Sequence, residues 1–301
     1  MERVLASIPP DRFENSLAAA ASATEALLDR LLPETGPAPR LVKAMRYAAL
    51  GPGKRLRPFL VIESSRLFGV PEARALAVGA ALECLHCYSL VHDDLPAMDD
   101  DDLRRGRPTL HRAFDEATAI LAGDALLTFA FEILSRPEVH PDAEVRVKLI
   151  GELARAAGKD GMAGGQMLDL EAEDGRKLEL EQVLTLQAMK TGALFRFAAT
   201  AGAMLGGADP VPLGAYGRAI GLAFQIADDL LDVSSSAAAL GKATQKDHAR
   251  GKATFVDLLG EAGARRRADE LVAEADVALA PYGARSNMLR AAARFIIGRR
   301  K

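Results

Sequence analysis

Six aspartates fall within ten positions of the sequence, at Asp93, Asp94 and Asp99 to Asp102, and Arg104, Arg105 and Arg107 follow at once. The ordinary fate of a charge run is a solvated face. This run ends an apolar stretch and turns abruptly basic, which suits neither a tail nor a linker. Clustered carboxylate oxygens suit a hard cation such as Mg2+. Mg2+ is usually shared between one or two protein carboxylates and substrate phosphates, and the arginines are then placed to bind those phosphates. The spacing of an EF-hand loop is absent.

A second acidic group lies in Phe224-Gln225-Ile226-Ala227-Asp228-Asp229-Leu230-Leu231-Asp232. Gln225, Asp228, Asp229 and Asp232 follow i, i+3, i+4, i+7 spacing and share one helical face. Their neighbours Leu222, Phe224, Ile226, Leu230 and Leu231 are apolar. Like charges on one face of a partly buried helix are destabilising unless cations neutralise them. An exposed acidic patch is the bland alternative, and it explains one such cluster more readily than two.

Cationic candidates accompany the acids. Gly51-Pro52-Gly53-Lys54-Arg55-Leu56-Arg57-Pro58 is a basic loop opening a helix, where an anion is readily bound. Lys190-Thr191-Gly192 sits within a helical stretch, and its glycine hints at a kink or close approach. Lys242 and Lys252 follow the second acidic group, each after a glycine. His86 lies seven residues before Asp93 on nearly the same face, although a lone histidine is more often a packed core residue. No P-loop, dinucleotide fingerprint or nucleophile elbow is present. The chemistry left standing acts on a diphosphate with an apolar body, held by Mg2+.

The elements that must position these residues are helices. Pro is absent from Asp142 to Asp209 and from Leu213 to Ala280, and both stretches are rich in strong helix formers. Val183, Leu186, Met189, Ala193 and Phe197 recur at three- and four-residue steps. No period-two strand or hairpin signal stands out. The spacing predicts about eleven helices, near 11–32, 40–50, 56–67, 71–94, 114–135, 143–170, 178–205, 212–234, 245–260, 262–280 and 286–298. The expected fold is all-α, a single domain over 1–301, with a bundle around a central apolar cavity.

Composition narrows the class further. Charged residues make up 26% and the formal net charge is −3, which offers no footprint for nucleic acid. Aromatic residues are 5% and Trp is absent, against a β-rich chain. The two cysteines, Cys84 and Cys87, are too few for a disulfide framework and suit a reducing cytoplasm. As Cys-Leu-His-Cys within a helical run they read as small core residues rather than a redox or zinc pair. The most apolar segment, Ala117 to Leu134, carries Asp124 and Glu132, so no membrane span is expected. The N-terminal segment, with Glu2, Asp11 and Glu14, is unlike a secretory signal.

Taken in order, these motifs resemble those of the trans-isoprenyl diphosphate synthases, in particular the bacterial short-chain enzymes, from about Arg40 to Phe295-Ile296-Ile297. The landmarks are Gly53 to Pro58, Asp93 to Pro108, Leu121-Ala122-Gly123-Asp124, Gly164-Gly165-Gln166, Lys190-Thr191-Gly192, Phe224 to Asp232, Leu240-Gly241-Lys242 and Gly251-Lys252. The two extra residues between Asp94 and Asp99, Pro96 among them, mark the bacterial type. The resemblance implies three Mg2+ ions, with Mn2+ as a substitute. Asp93 and Asp99 hold two of them and Asp228 the third, with Asp94, Asp229 and Asp232 completing the motifs. It places Arg104, Lys190 and Lys242 on the allylic diphosphate and Lys54, Arg57, His86 and Arg105 on isopentenyl diphosphate, with Lys252 also binding substrate. Thr191 and Gln225 flank the developing allylic cation. A homodimer is implied as well. Gln245 stands where the family often has Gly, and Ser234-Ser235-Ser236 where a Gly-Asp pair is usual.

Product length is expected to be set beside the helix ending at Asp93. At ~1.5 Å per residue, Tyr88 and Ser89 lie about 6–8 Å below that carboxylate. In similar enzymes an aromatic residue five places before the motif, with the two-residue insertion, goes with a C15 product. Farnesyl diphosphate is therefore the expected product, with geranylgeranyl diphosphate as the alternative. A non-catalytic partner subunit should lack part of an acidic motif, and a terpene cyclase has no need of Lys54 and Arg57.

Overall fold

The computed structural model describes residues 8–173, 178–238 and 254–299. Three short-spaced apolar helices form its centre. They are α3 (Leu56–Arg66), α4 (Glu72–Asp93) and α10 (Ala193–Leu205), and each packs on the other two. Burial runs round all sides of α10, from Leu194 to Leu205 with only Arg196 outside, as expected for a helix without a polar face. Small residues let these helices close up. A Cβ on Gly202 would stand 2.3 Å from the backbone of Ser64, so α10 and α3 approach to a distance only glycine allows.

Amphipathic helices wrap this centre. α1 (Pro10–Leu31) starts on a proline and buries Phe13, Leu17, Ala20, Thr24 and Leu28 at helical spacing. α2 (Pro39–Ala49) and α6 (Glu116–Ser135) pack on α4, and Asp115 caps α6 by accepting from the Thr118 amide. α7 (Ala143–Ala157) lies on α10 and α8 (Met162–Glu173) on a π-helical turn, Ala188–Gly192. α9 (Leu180–Gln187) leads into that turn, and α11 (Val211–Ala238) packs along α10. α12 (Phe255–Ala278) runs beside α11, and a 3-10 turn over Ala280–Ser286 delivers α13 (Asn287–Gly298). Tyr216 on α11 donates to the Leu289 carbonyl at 2.7 Å, and the Phe295 and Phe13 rings sit 5.0 Å apart. These contacts bring the chain's last described residues back to the centre.

The all-α expectation holds, with local differences. The helix predicted over 143–170 is broken between Gly158 and Gly161. A Cβ on Gly161 would lie 2.2 Å from the Ala156 carbonyl oxygen, so the chain turns too tightly there for a regular helix. The helix predicted over 178–205 contains the π-helical turn, where Gly165 leaves room for the backbone of Lys190, 2.2 Å from where its Cβ would be. The described parts of the helices predicted over 245–260 and 262–280 are one element, α12, kinked at Gly260 with φ 69°. A two-residue antiparallel pair, Leu103–Arg104 with Arg107–Pro108, was not predicted. Two residues per strand leave no alternating pattern to detect, and the turn rests on the positive φ of Arg105 and Gly106. A four-residue helix, α5 (Leu110–Ala113), precedes α6.

Candidate active site

A cavity of about 640 Å³ opens between α4, α8, the π-helical turn and α11. Its body is apolar, with Met98, Met162, Met167, Leu170, Leu194 and Phe224 among its walls. Asp93 and Lys190 line it, with Arg57, His86, Thr191, Gln225 and Asp228. The sequence placed these seven on four separate helical segments, and the fold brings them to one space.

The first acidic motif is shaped by its own backbone. After α4 the chain folds back so that the Asp99 amide donates to the Asp93 carbonyl at 2.7 Å, and the Asp100 amide to the Leu95 carbonyl at 3.1 Å. Asp100 takes a left-handed φ of 48° to complete the loop. The residues between Asp94 and Asp99 thus return Asp99 to Asp93. Burial pushes the Asp93 carboxyl up to about 6, against the pull of Lys190 and with the help of Asp99. Asp94 turns the other way. It is buried and accepts from Arg104 Nε at 2.9 Å. Together with Arg104, Arg105 and Cys87 it lines a small separate pocket behind the motif. Asp94 and Arg104 are thus each other's partners.

The second motif divides its labour in the same manner. Asp228 faces the cavity, and burial raises its carboxyl above the usual range while Arg299 pulls it back. Asp229 is buried and accepts from the Phe255 amide at 2.8 Å and from Gln225 Nε2 at 3.1 Å. A carboxylate at the first amides of α12 is a favourable helix-start contact. Burial pushes this carboxyl up to about 6 even so. Thr191 Oγ1 donates to Gln225 Oε1 at 3.3 Å, so one hydrogen-bonded series joins the π-helical turn, α11 and α12. Asp232 is exposed one turn further on.

The basic residues form a ledge on one side. Arg105 donates to the Pro52 carbonyl at 2.6 Å, and a Cβ on Gly53 would meet Arg105 Nη1 at 2.3 Å, so the glycine admits this contact. Lys54 sits 5.5 Å over the Phe295 ring, its pKa lowered by burial and Arg299. Arg57 stacks 4.8 Å over Phe195, and burial pushes it down to about 10. Its Nη1 is 3.3 Å from His86 Nε2. Guanidinium only donates, so Nε2 accepts and the proton is on Nδ1. Burial, then Arg57, drives the His86 pKa far down, so the imidazole is neutral and offers a hydrogen bond rather than a charge. Tyr88 and Ser89 line the cavity below, with Ser89 Oγ donating to the His86 carbonyl at 2.9 Å. Lys242 and Lys252, with Gln245, lie outside the described residues.

Several participants were not singled out by the sequence. Lys190 is 2.5 Å from Asp169 on α8, three residues beyond the Gly164-Gly165-Gln166 landmark, which stops short of it. Arg55 belongs to the basic loop but does not face the cavity. It is buried at a left-handed φ of 50°, paired at 2.6 Å with buried Glu83, and donates to the Ala49 and Gly51 carbonyls. Arg299 is 3.1 Å from Asp228 and stacks 4.0 Å over Phe224. The one sequence signal for it was a basic run, Arg299-Arg300-Lys301, directly after an amphipathic helix.

A family model described as polyprenyl synthetase matches residues 38–276. The chain is 50% identical over 272 residues to the farnesyl diphosphate synthase of Escherichia coli K12, covering 87% of this chain and 90% of that one. It is 44% identical to the farnesyl diphosphate synthase of Geobacillus stearothermophilus, over 81% and 84% of the two chains. An FPP/GFPP synthase from Zymomonas mobilis, solved without ligand, superposes with a TM-score of 0.88 at 48% identity, covering 95% of this chain and 99% of the other. With both aspartate motifs meeting at one apolar cavity and a likeness running through nearly the whole length, the chain belongs to the polyprenyl synthetase family.

Proposed function

We propose that this protein is a Mg2+-dependent trans-prenyltransferase that condenses isopentenyl diphosphate with dimethylallyl and then geranyl diphosphate to give farnesyl diphosphate. The observation that carries this reading is the pair Asp93 and Asp228. They are carboxylates on separate helices, both desolvated, facing one deep apolar cavity beside a basic ledge. The similarity to farnesyl diphosphate synthases supports the product class.

The donor set fits Mg2+. Asp93, Asp99 and Asp228 offer hard oxygens, and Asp93 and Asp228 present theirs to the cavity, where burial makes a bare carboxylate costly and a cation welcome. Mg2+ is usually held by one or two protein carboxylates with substrate phosphates as its remaining ligands, so few protein oxygens are needed. Three Mg2+ ions, or Mn2+ in their place, supply when bound the charge neutralisation that lets an allylic diphosphate leave. Lys190 holds the leaving diphosphate, with Lys242 beyond the described residues, while Arg104, engaged by Asp94 behind the motif, braces its loop rather than reaching the cavity as the resemblance implied. Lys54, Arg57, His86 and Arg105 seat isopentenyl diphosphate. Thr191 and Gln225 present oxygens to the allylic cation, and the apolar walls keep water from it. The cation adds to the isopentenyl double bond, and the departed diphosphate takes the proton that restores the alkene. Tyr88 closes the cavity to chains beyond C15.

The chain acts as one domain and, we propose, as a homodimer. α6 is long and apolar enough to cross a membrane by composition alone, yet it packs on α4. Its Ile120 and Leu121 remain exposed, with Val147 of α7, and a second copy covers such a face. Both cysteines are free and buried, which supports a reducing cytoplasm. Incubation with radiolabelled isopentenyl diphosphate and each allylic primer tests the reading. Condensation products are expected, and none with any primer would refute it.

A further inference from the structure

His92, one turn beyond Tyr88 on α4, has no part in the chemistry above. Its imidazole fills the seam between α4 and α6. Nε2 lies 3.1 Å from the Ile120 carbonyl oxygen. That oxygen only accepts, so Nε2 carries the proton and donates. The seat exists because position 123 is glycine. A Cβ there would stand 2.2 Å from His92 Nε2 and 2.4 Å from Cδ2. Asp124 Oδ1 is 3.9 Å from the same nitrogen. The imidazole meets the Tyr88 ring edge to face, with centroids 5.2 Å apart and planes at 85°, a favoured aromatic arrangement. Among the described residues no hydrogen bond anchors the Tyr88 hydroxyl, so packing holds that ring. Tyr88, His92 and Ile120 all line the cavity.

We propose that His92 is a positioning residue for product length. Pinned between the Ile120 carbonyl and Gly123, it props the Tyr88 ring across the cavity. The proposal rests on the reading of Tyr88 as the cavity floor. Without the imidazole the tyrosine ring loses its edge contact and swings along α4, and the cavity deepens while the diphosphate sites stay as they are. Gly123 and Ile120, on a different helix, thereby contribute to chain length.

The test measures the C20-to-C15 product ratio of the full chain with geranyl diphosphate, isopentenyl diphosphate and Mg2+. The variants are His92→Ala, Tyr88→Ala and the two combined. His92→Ala is expected to raise the ratio roughly two- to tenfold, the worth of one aromatic pair. It is expected to add nothing once Tyr88 is Ala, because the two act as a unit. An unchanged ratio in His92→Ala, or an equal increment in both backgrounds, overturns the proposal. An unchanged ratio in Tyr88→Ala alone is a distinct result that removes the floor reading and this proposal with it. Gly123→Ala gives a second handle. Its added methyl is expected to lower the Tm by unseating the imidazole. Combining it with His92→Ala vacates the seat and should restore the Tm while the product ratio stays raised. A Tm that does not recover shows that the seat is not what Gly123 provides, and overturns it.

Discussion

Asp93 and Asp228 each line the cavity, while their neighbours Asp94 and Asp229 are spent on Arg104 and on the start of α12. Adjacent aspartates therefore differ in kind, and substitution should show it. Asp93→Asn and Asp228→Asn are expected to cut kcat by roughly a hundredfold or more, the scale of losing one group aimed at developing charge, with unchanged helical circular dichroism. Asp229→Ala should instead show its main effect as a lowered Tm, since it leaves the buried Phe255 amide without its side-chain acceptor. Equal loss of turnover with no change in Tm across all three would show that the motif is not divided in this way. On the basic ledge, Lys54→Ala should weaken isopentenyl diphosphate more than the allylic substrate. One charge-assisted contact is worth about 1.5–3 kcal/mol, or roughly ten- to a hundredfold in binding. Equal rises in both KM values would contradict the assignment. The sequence made the aspartates legible through their helical spacing, but it could not say which of each pair faces the cavity. That is decided by Arg104 and Phe255, ten and twenty-six residues away respectively.

At the level of elements, α3 and α4 are clamped by a buried ion pair that also shapes the basic loop. Arg55 and Glu83 are almost fully inaccessible and 2.6 Å apart, and Arg55 ties off the Ala49 and Gly51 carbonyls before the loop reaches Lys54. Removing Glu83 leaves buried Arg55 with only the part-exposed Glu25, 3.3 Å away, as its counter-charge. Glu83→Ala should therefore lower the unfolding free energy by about 3–5 kcal/mol in denaturant titration. A change under about 1 kcal/mol would show the pair to be dispensable. Cys84 and Cys87 sit on the same buried turn of α4. Burial pushes the Cys87 thiol up to about 12, and the thiolate is the reactive form. Neither thiol should label with a thiol reagent at about pH 8 until the chain is unfolded, and prompt labelling of the native protein would contradict the buried packing. The helices were legible because apolar periodicity and proline placement report them directly. Their interruptions were not, since Gly161, Gly165 and Gly260 break regularity through backbone approaches and a positive φ that only the folded chain displays. The reading of Gly192 as a sign of a kink or close approach was nearer the mark, for the π-helical turn ends on it and a Cβ on Gly221 would come within 2.9 Å of its Cα.

For the whole molecule, elements distant in sequence, α4, α8, the π-helical turn and α11, meet at one cavity, and the chain after α13 carries Arg299 back to the second aspartate motif. Local pattern does not record such returns, so Arg299 and Asp169 went unread while the long aspartate and glycine motifs did not. The cavity's charged end and apolar depth together make the account's central claim, that metal-assisted departure of diphosphate starts a chain elongation which Tyr88 stops. The most direct measurement is the product profile from radiolabelled isopentenyl diphosphate and geranyl diphosphate, in Mg2+ and in excess chelator. Farnesyl diphosphate is expected as the main product in Mg2+, with no product in chelator and recovery when Mg2+ is restored. Full condensation in chelator, or a product mostly of C20 length in Mg2+, would contradict it.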